Sequence, residues 1–253
     1  MRLTIGMASY DNYAEAWFTI QALRMYHDLT DCEILIVDNY GSESLRNFVQ
    51  GWGGDQVRYI RDTTETGTAW AKNKVFEHAR GDIVLCIDSH VFLQPGALES
   101  IHETDDLIQG PLKLAGNDSY YLAMVPVWRS HMWGIWADPV KSLPDNPMEI
   151  WGMGMGCFYT SRNSWLKYNE KFRGFGGEEG YIHEKYRLAG KRVISDPALV
   201  WQHYFREDLT SPPYHLSVFD KARNYMIGFQ ELGLDTKPLI DAFGKDIISK
   251  VKT

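Results

Sequence analysis

The chain has 253 residues, with 26 Lys and Arg against 33 Asp and Glu, a formal net charge of −7 and 44% hydrophobic residues. That length suits one large α/β domain or two small ones, and the acidity argues against a broad basic face for nucleic acid or anionic membrane while leaving room for a local basic groove. No apolar run approaches the ~20 residues a membrane span needs. Met1-Arg2-Leu3-Thr4-Ile5 runs straight into a strand without a secretory signal, and Cys32, Cys86 and Cys157 are widely spaced like free thiols, so a reducing cytoplasm is expected.

In chain order, residues 3–8 read as a strand ending in Ser9-Tyr10-Asp11-Asn12, and 13–26 as a helix with Ala16, Trp17, Ile20 and Leu23 on one face. A second strand, 33–37, closes on Asp38-Asn39; a short helix (42–49), a third strand (57–60) and a helix (66–79) follow. Then Ile83-Val84-Leu85-Cys86-Ile87, apolar and rich in β-branched residues, ends abruptly in Asp88-Ser89-His90. Such a run reads as a strand buried on both faces, and this βαβαβαβ order implies a mostly parallel sheet with right-handed crossovers. Beyond Pro95 the pattern changes: a helix over 95–102 with Pro in its first turn, then strands at 107–110 and 120–124. Residues 127–151, with Trp128, Trp133, Trp136, Trp151, Pro139, Pro144 and Pro147, have no clear period and read as a functional loop. A strand at 156–160, a helix at 162–167 capped by Ser161, a helix at 178–189, strands at 192–195 and 198–201, a long helix at 214–232 and a helical end at 238–250 complete the chain.

The chemistry-bearing residues gather at strand ends. Asp11/Asn12, Asp38/Asn39 and Asp88 fall at C-terminal ends of strands expected to be parallel, along the rim where such sheets bind nucleotides, although Asp and Asn are also common turn residues. In Thr66-Gly67-Thr68-Ala69-Trp70-Ala71-Lys72-Asn73 a helix start offers N–H groups to an anion, with Lys72 and Asn73 one turn on; an ordinary capped helix explains the same residues. Asp88 and His90 are either a metal-ligand pair or a turn aspartate and a surface histidine. Phe172-Arg173-Gly174-Phe175-Gly176-Gly177-Glu178-Glu179 sets two carboxylates behind a glycine loop, where helix capping also favours Glu. A single histidine, His203, follows the apolar strand near Trp201.

The order of these pieces resembles that of nucleotide-sugar glycosyltransferases of the GT-A fold. It is similar to glycosyltransferase family 2 and, in its second half, to the polypeptide N-acetylgalactosaminyltransferases. Asp88-Ser89-His90 resembles the aspartate-any-histidine metal motif, and Phe175-Gly176-Gly177-Glu178-Glu179 the Trp-Gly-Gly-Glu loop with Phe for Trp. His203-Tyr204-Phe205-Arg206 resembles a late element whose histidine is the third metal ligand, and Met155-Gly156-Cys157-Phe158 a strand touching donor and acceptor sugars. The resemblance implies an α/β, Rossmann-like fold over 1–206, with a nucleotide-binding half (1–94) and an acceptor half (95–206) carrying a smaller sheet; residues 207–253 lie beyond the resemblance and are expected from their own pattern to be a helical extension packed on the same domain. It implies Mn²⁺ or Mg²⁺ on Asp88, His90 and His203, and a UDP-sugar held by Asp38, Asn73, Asp88 and Gly156, with Asp38 on the uridine; the strand-end and helix-start chemistry adds Ser9, Asp11, Gly67 and Lys72 to the donor side. Glu179 would be the base of an inverting enzyme and Glu178 a sugar ligand of a retaining one, with Trp128, Trp133, Trp151, Phe175, Gly176 and Gly177 on the acceptor or lid side. The acceptor stays open among a glycan, a protein, a lipid-linked sugar and a modified DNA base. Two rivals remain: a nucleotidyltransferase, which should carry a basic glycine-rich loop where Ser9-Tyr10-Asp11-Asn12 stands, and a non-catalytic nucleotide-sugar-binding module.

Overall fold

The computed structural model describes residues 2–116, 118–204 and 215–251. Its first half follows the apolar pattern closely: β1 (Leu3–Ser9), α1 (Tyr13–Tyr26), β2 (Cys32–Asp38), α2 (Glu43–Phe48), β3 (Val57–Arg61), α3 (Thr68–His78) and β4 (Ile83–Asp88). Ser42 caps α2, its Oγ accepting from the Leu45 N–H at 3.3 Å, and one π-helical turn, Val49–Gly53, leads on to β3. β1 pairs in parallel with both β2 and β4, and β2 with β3, giving the order β3-β2-β1-β4. The chain thus turns to opposite sides of β1, and the crevice at such a switch point is where open α/β sheets bind ligands. Ala8 lies in register with Asp88 and Ser9 with Asp38. Ile83 to Ile87 are at most 1% exposed; burying a Val, Leu or Ile contributes about 1.5–3 kcal/mol, which sets the strand firmly under the crevice.

The second half adds β5 (Val91–Leu93), β6 (Leu107–Gln109), β7 (Leu112–Lys113), β8 (Tyr120–Tyr121), β9 (Met124–Arg129), β10 (Met132–Trp136), β11 (Met148–Glu149), β12 (Cys157–Ser161), α4 (Glu178–Leu188), β13 (Val193–Ser195), β14 (Trp201–His203), α5 (Val218–Glu231), α6 (Lys237–Phe243) and α7 (Lys245–Ile248). The main sheet runs β11-β13-β6-β12-β4-β1-β2-β3. It is parallel in its first half and mixed beyond β4, where β12 lies antiparallel to both β4 and β6. A smaller sheet, β5-β14-β7-β8, and the β9–β10 hairpin stand beside the crevice.

Several local expectations give way to tertiary ones. Residues 95–100 form turns instead of a helix: Gly96 has φ +90°, and Ala97 N–H bonds back to the Gln94 carbonyl at 3.1 Å, while Ala97, Leu98 and Ile101 still reach the core. The Trp-rich stretch is not one long loop. It opens with the β9–β10 hairpin, turned by Ser130 and His131 at φ +48° and +62°, the two-residue geometry that matches strand twist. Apolar residues on both of its faces hid the period-2 signal. The 120–124 strand breaks into β8 and the start of β9. A single turn, Arg162–Ser164, replaces the 162–167 helix, because the Ser161 Oγ accepts from the Thr104 N–H at 2.9 Å instead of capping. β14 contains His203 where a strand at 198–201 was expected, and Gly244, at φ +82°, divides the last helix into α6 and α7. Ser217 caps α5, its Oγ accepting from the Asp220 N–H at 3.2 Å; position 214, the expected start, lies outside the described residues, as do Phe205 and Arg206. A second apolar cluster, Ala222, Tyr225, Phe229, Leu239 and Phe243, joins α5 and α6 to Trp128 and Trp133 of the hairpin. No helix among the described residues is long and apolar enough to cross a membrane.

Candidate active site

A cavity of about 580 Å³ opens at the C-terminal ends of β1 and β4. At its base β4 ends in Asp88, whose N–H is bonded to the Gly156 carbonyl at 2.9 Å. β14 lies antiparallel to β5, with His203 opposite Val91 and the Tyr204 N–H bonded to the His90 carbonyl at 2.9 Å. That pairing carries His203 back to His90. Their Nε2 atoms lie 2.9 Å apart, and His203 Nε2 is 3.6 Å from Asp88 Oδ2. One ligand atom from each of the three residues lies within 4.8 Å of the others, so a carboxylate and two imidazoles form a mixed O/N donor set that fits a divalent transition ion. Asn12 stands behind them: its amide nitrogen is 2.8 Å from Ser89 Oγ and 3.2 Å from His90 Nδ1. Thr19 Oγ1 on α1 donates to the Ser89 carbonyl at 3.0 Å.

The other oxygen of Asp88 belongs to Lys72, with Nζ to Oδ1 at 3.0 Å. Lys72 is 2% exposed and also donates to the Met155 carbonyl. Burial opposes the charge on Asp88, yet the Lys72 ammonium and the two imidazoles hold its carboxyl well below the usual range. Burial likewise acts to lower Lys72, but Asp88 outweighs it and the ammonium is held above its ordinary value. Gly156 is small for a local reason: a Cβ there would stand 2.9 Å from the Trp201 ring and 3.2 Å from Asp88 Oδ2.

Across the cavity the glycine loop delivers the two glutamates. Gly176 and Gly177 have φ +108° and +99°, a left-handed backbone that favours glycine, and the Gly176 N–H donates to Glu178 Oε2 at 2.6 Å. Asn224 of α5, fully buried, donates to the Arg173 and Gly176 carbonyls at 2.8 and 3.0 Å and accepts from the Arg173 N–H at 3.0 Å. The loop is pinned at its other end to the start of α3, where the Gly174 N–H bonds the Thr66 carbonyl at 2.9 Å. Glu178 turns inward while Glu179 lines the cavity. Burial, then the charge of Glu179, pushes Glu178 up to about 8, so it keeps its proton at neutral pH; burial also raises Glu179.

Ser9, Gly67, Lys72, Asp88, His90, Gly156, Phe175, Glu179 and His203 are therefore brought together. Others are not. Asp38 is fully buried, its Oδ1 accepting from the Tyr40 and Gly41 N–H groups, each at 2.9 Å, and its Oδ2 from the Ser42 N–H and the Tyr59 hydroxyl, each at 2.7 Å. It caps the β2 turn and presents no carboxylate to a base. Asn73 is spent on Tyr168 and Trp165, with Oδ1 accepting from the Tyr168 N–H at 2.9 Å and the Trp165 indole at 3.1 Å, and Nδ2 donating to the Tyr168 carbonyl at 2.9 Å. Asp11 sits exposed in the turn after β1 at φ +47°. Gly176 and Gly177 are buried within the loop and do not line the cavity. Trp128 and Trp133 stack with ring centroids 6.3 Å apart and pack on Tyr225 and Phe229, while Trp151 meets Trp133 at 5.1 Å and Arg187 at 5.7 Å, so all three consolidate the hairpin without facing the cavity. The tryptophans that line it are Trp136 and Trp201. Trp201 was legible from period 2, since it shares a strand face with His203. Asn39 and Lys221 also line the cavity. Asn39 holds the 62–67 loop by accepting from the Gly67 N–H at 2.9 Å; nothing local in the sequence marks Lys221.

Residues 4–106 match the family described as Glycosyl transferase family 2. Among solved structures, GalNAc-T7 with UDP, GalNAc and Mn²⁺ superposes with a TM-score of 0.73 at 17% identity, over 99% of this chain and 54% of that one. TarS 1–349 of S. aureus in complex with UDP-GlcNAc gives 0.62 at 13%, covering 98% and 72%. The mannosyltransferase PcManGT from Pyrobaculum calidifontis, in complex with GDP-Man and Mn²⁺, gives 0.57 at 14%, covering 96% and 69%. The chain thus spans about half the length of GalNAc-T7. No curated protein matches it in sequence. The switch-point crevice, the mixed sheet and these superpositions agree: the chain has the GT-A fold and resembles glycosyltransferase family 2 and the polypeptide N-acetylgalactosaminyltransferases.

Proposed function

We propose that the protein is a metal-dependent glycosyltransferase that moves a sugar from a UDP-sugar to an acceptor hydroxyl. The observation that carries this reading is the convergence of Asp88, His90 and His203 on one point of a cavity that Glu179 also faces. Asp88, His90 and His203 would hold a divalent ion, Mn²⁺ or Mg²⁺, which would supply Lewis-acid neutralisation of the departing diphosphate. The protein's own part is to keep Asp88 ionised through Lys72, to aim the two imidazoles, and to offer Glu179 to the acceptor. In an in-line displacement the acceptor oxygen bonds to the anomeric carbon, its proton passes to Glu179, and the sugar–phosphate bond breaks with its electron pair on the diphosphate. The UDP assignment rests on two superposable proteins seen with UDP or a UDP-sugar; the acceptor class, whether glycan, protein, lipid-linked sugar or modified base, is left to an acceptor screen.

His203→Ala is the cleaner test variant, because Asp88 also neutralises a buried lysine. Wild-type protein should bind UDP by calorimetry only when Mn²⁺ is present and should slowly release UDP from a UDP-sugar. His203→Ala should lose the Mn²⁺ dependence; Mn²⁺-dependent UDP binding that survives intact would rule the metal site out. Binding without any UDP release, across a panel of nucleotide sugars, would identify a non-catalytic binding module instead.

A further inference from the structure

The helical extension does more than cover the fold, for it sends one side chain into the cavity. Lys221, the fourth residue of α5, lines the same space as Glu179. Its stem lies flat on the glycine loop, where a Cβ on Gly176 would meet its Cγ and Cε at 2.7 Å, and its Nζ is 6.0 Å from the centre of the Phe175 ring. Among the described residues that ammonium has no hydrogen-bond or ion-pair partner, in contrast to Lys72 with Asp88 and Lys185 with Glu231. Glu179 shows the complementary deficit: its Oε2 is buried without a partner. An unpaired cation and an underserved carboxylate thus face one cavity, each carried by a helix whose start is pinned to the same loop through Asn224.

We propose that Lys221 is the positioning residue for Glu179, the counter-charge that holds this carboxylate ionised and oriented toward the acceptor hydroxyl. The proposal rests on the glycosyltransferase reading for Glu179's task, but the coupling between the two side chains does not. The charged and titratable groups acting around Glu179 are Lys72 from α3, Asp88 from β4, Glu178 from its own helix and Lys221 from α5, and Tyr168 and Tyr225 respond to its charge. Of the two lysines that act on Glu179, Lys72 acts more strongly but is paired with Asp88 at 3.0 Å, whereas Lys221 has no ion-pair partner among the described residues and is the one free to move onto the carboxylate. Burial raises the Glu179 carboxyl above its ordinary value, and a backbone hydrogen bond, the Lys72 ammonium and, after it, the Lys221 ammonium oppose that rise.

A double-mutant cycle of wild type, Lys221→Met, Glu179→Gln and the pair tests it by thermal denaturation at pH 5 and pH 8. Lys221→Met should lower the melting temperature more at pH 8 than at pH 5, and this extra loss should vanish when Glu179 is already Gln. The same variants, assayed for UDP release from a UDP-sugar, should show the acid limb of the pH–rate profile moved upward in Lys221→Met and restored in Lys221→Arg, with Mn²⁺–UDP affinity unchanged. Additive melting effects at both pH values would overturn the proposal. So would a loss of UDP affinity at an unmoved profile, which would place Lys221 on the diphosphate. Absence of UDP release by the wild type would defeat the functional reading alone, with the cycle still deciding the coupling.

Discussion

Asp88 divides its two oxygens between different partners, and its substitutions therefore carry two effects. Removing the charge strands a buried ammonium, and breaking a buried pair of this kind costs about 3–5 kcal/mol, so Asp88→Asn should both abolish Mn²⁺ binding and lower the melting temperature. His203→Ala should do only the first. Asn12 offers a subtler test. A metal-bound imidazole at Nε2 keeps its proton on Nδ1, and the amide 3.2 Å away is placed to accept that proton once its oxygen is the end turned toward the ring. Asn12→Leu should then weaken Mn²⁺ binding about 10–100-fold by calorimetry, the usual cost of losing an orienting partner; unchanged affinity would show that the ring is held by other contacts. Glu178 supplies a pH signature. Its ordinary value of 4.5 rises to about 8 in the fold, so between those values the folded state binds more protons than the unfolded one and stability falls as pH rises. Glu178→Gln removes that titration, and its melting temperature relative to wild type should be higher at pH 8 than at pH 5.

At the scale of elements, the site depends on how closely α3 rides on β1. A Cβ on Gly6 would stand 2.1 Å from Val75 Cγ1, an overlap that α3 can relieve only by moving away. Overpacking of this sort costs about 1–3 kcal/mol, or about 2–4 °C per kcal/mol for a chain of this size. Because α3 also carries Lys72 to Asp88, Gly6→Ala should lower both the melting temperature and the affinity for Mn²⁺–UDP; a fall in neither would mean that the sheet absorbs the methyl group. The β5–β14 pairing matters for a different reason. It is the only described ladder that brings His203 beside His90, and neither three-residue strand announces its partner in its own sequence.

Across the whole molecule, α5 and α6 are built into the fold. Their cluster of Tyr225, Phe229, Leu239 and Phe243 covers Trp128 and Trp133, and Asn224 and Lys221 reach the glycine loop from the same helix. Deleting residues 215–253 would uncover this apolar surface and release the loop that holds both glutamates. The shortened chain should bind a hydrophobic dye and lose its cooperative thermal transition; a sharp transition near that of the full chain would show that residues 1–214 fold alone.

What the amino-acid sequence determined by itself was local in origin. The doubly buried strands, the helices between them and the Asp88-Ser89-His90 stop at the end of β4 follow from periodicity and strand-end chemistry, which neighbouring residues set. The roles of Asp38 and Asn73 did not follow, because whether an Asp or Asn meets a ligand or a backbone N–H depends on where the next loop runs, and here the turn after β2 and the segment at 165–168 claimed them. The tryptophans of the hairpin were likewise assigned by contacts with α5 that no local period encodes. Only the tertiary structure could separate Glu178 from Glu179, bring His203 to His90 and carry Lys221 into the cavity that Glu179 lines, since each rests on pairing or packing between segments far apart in the chain.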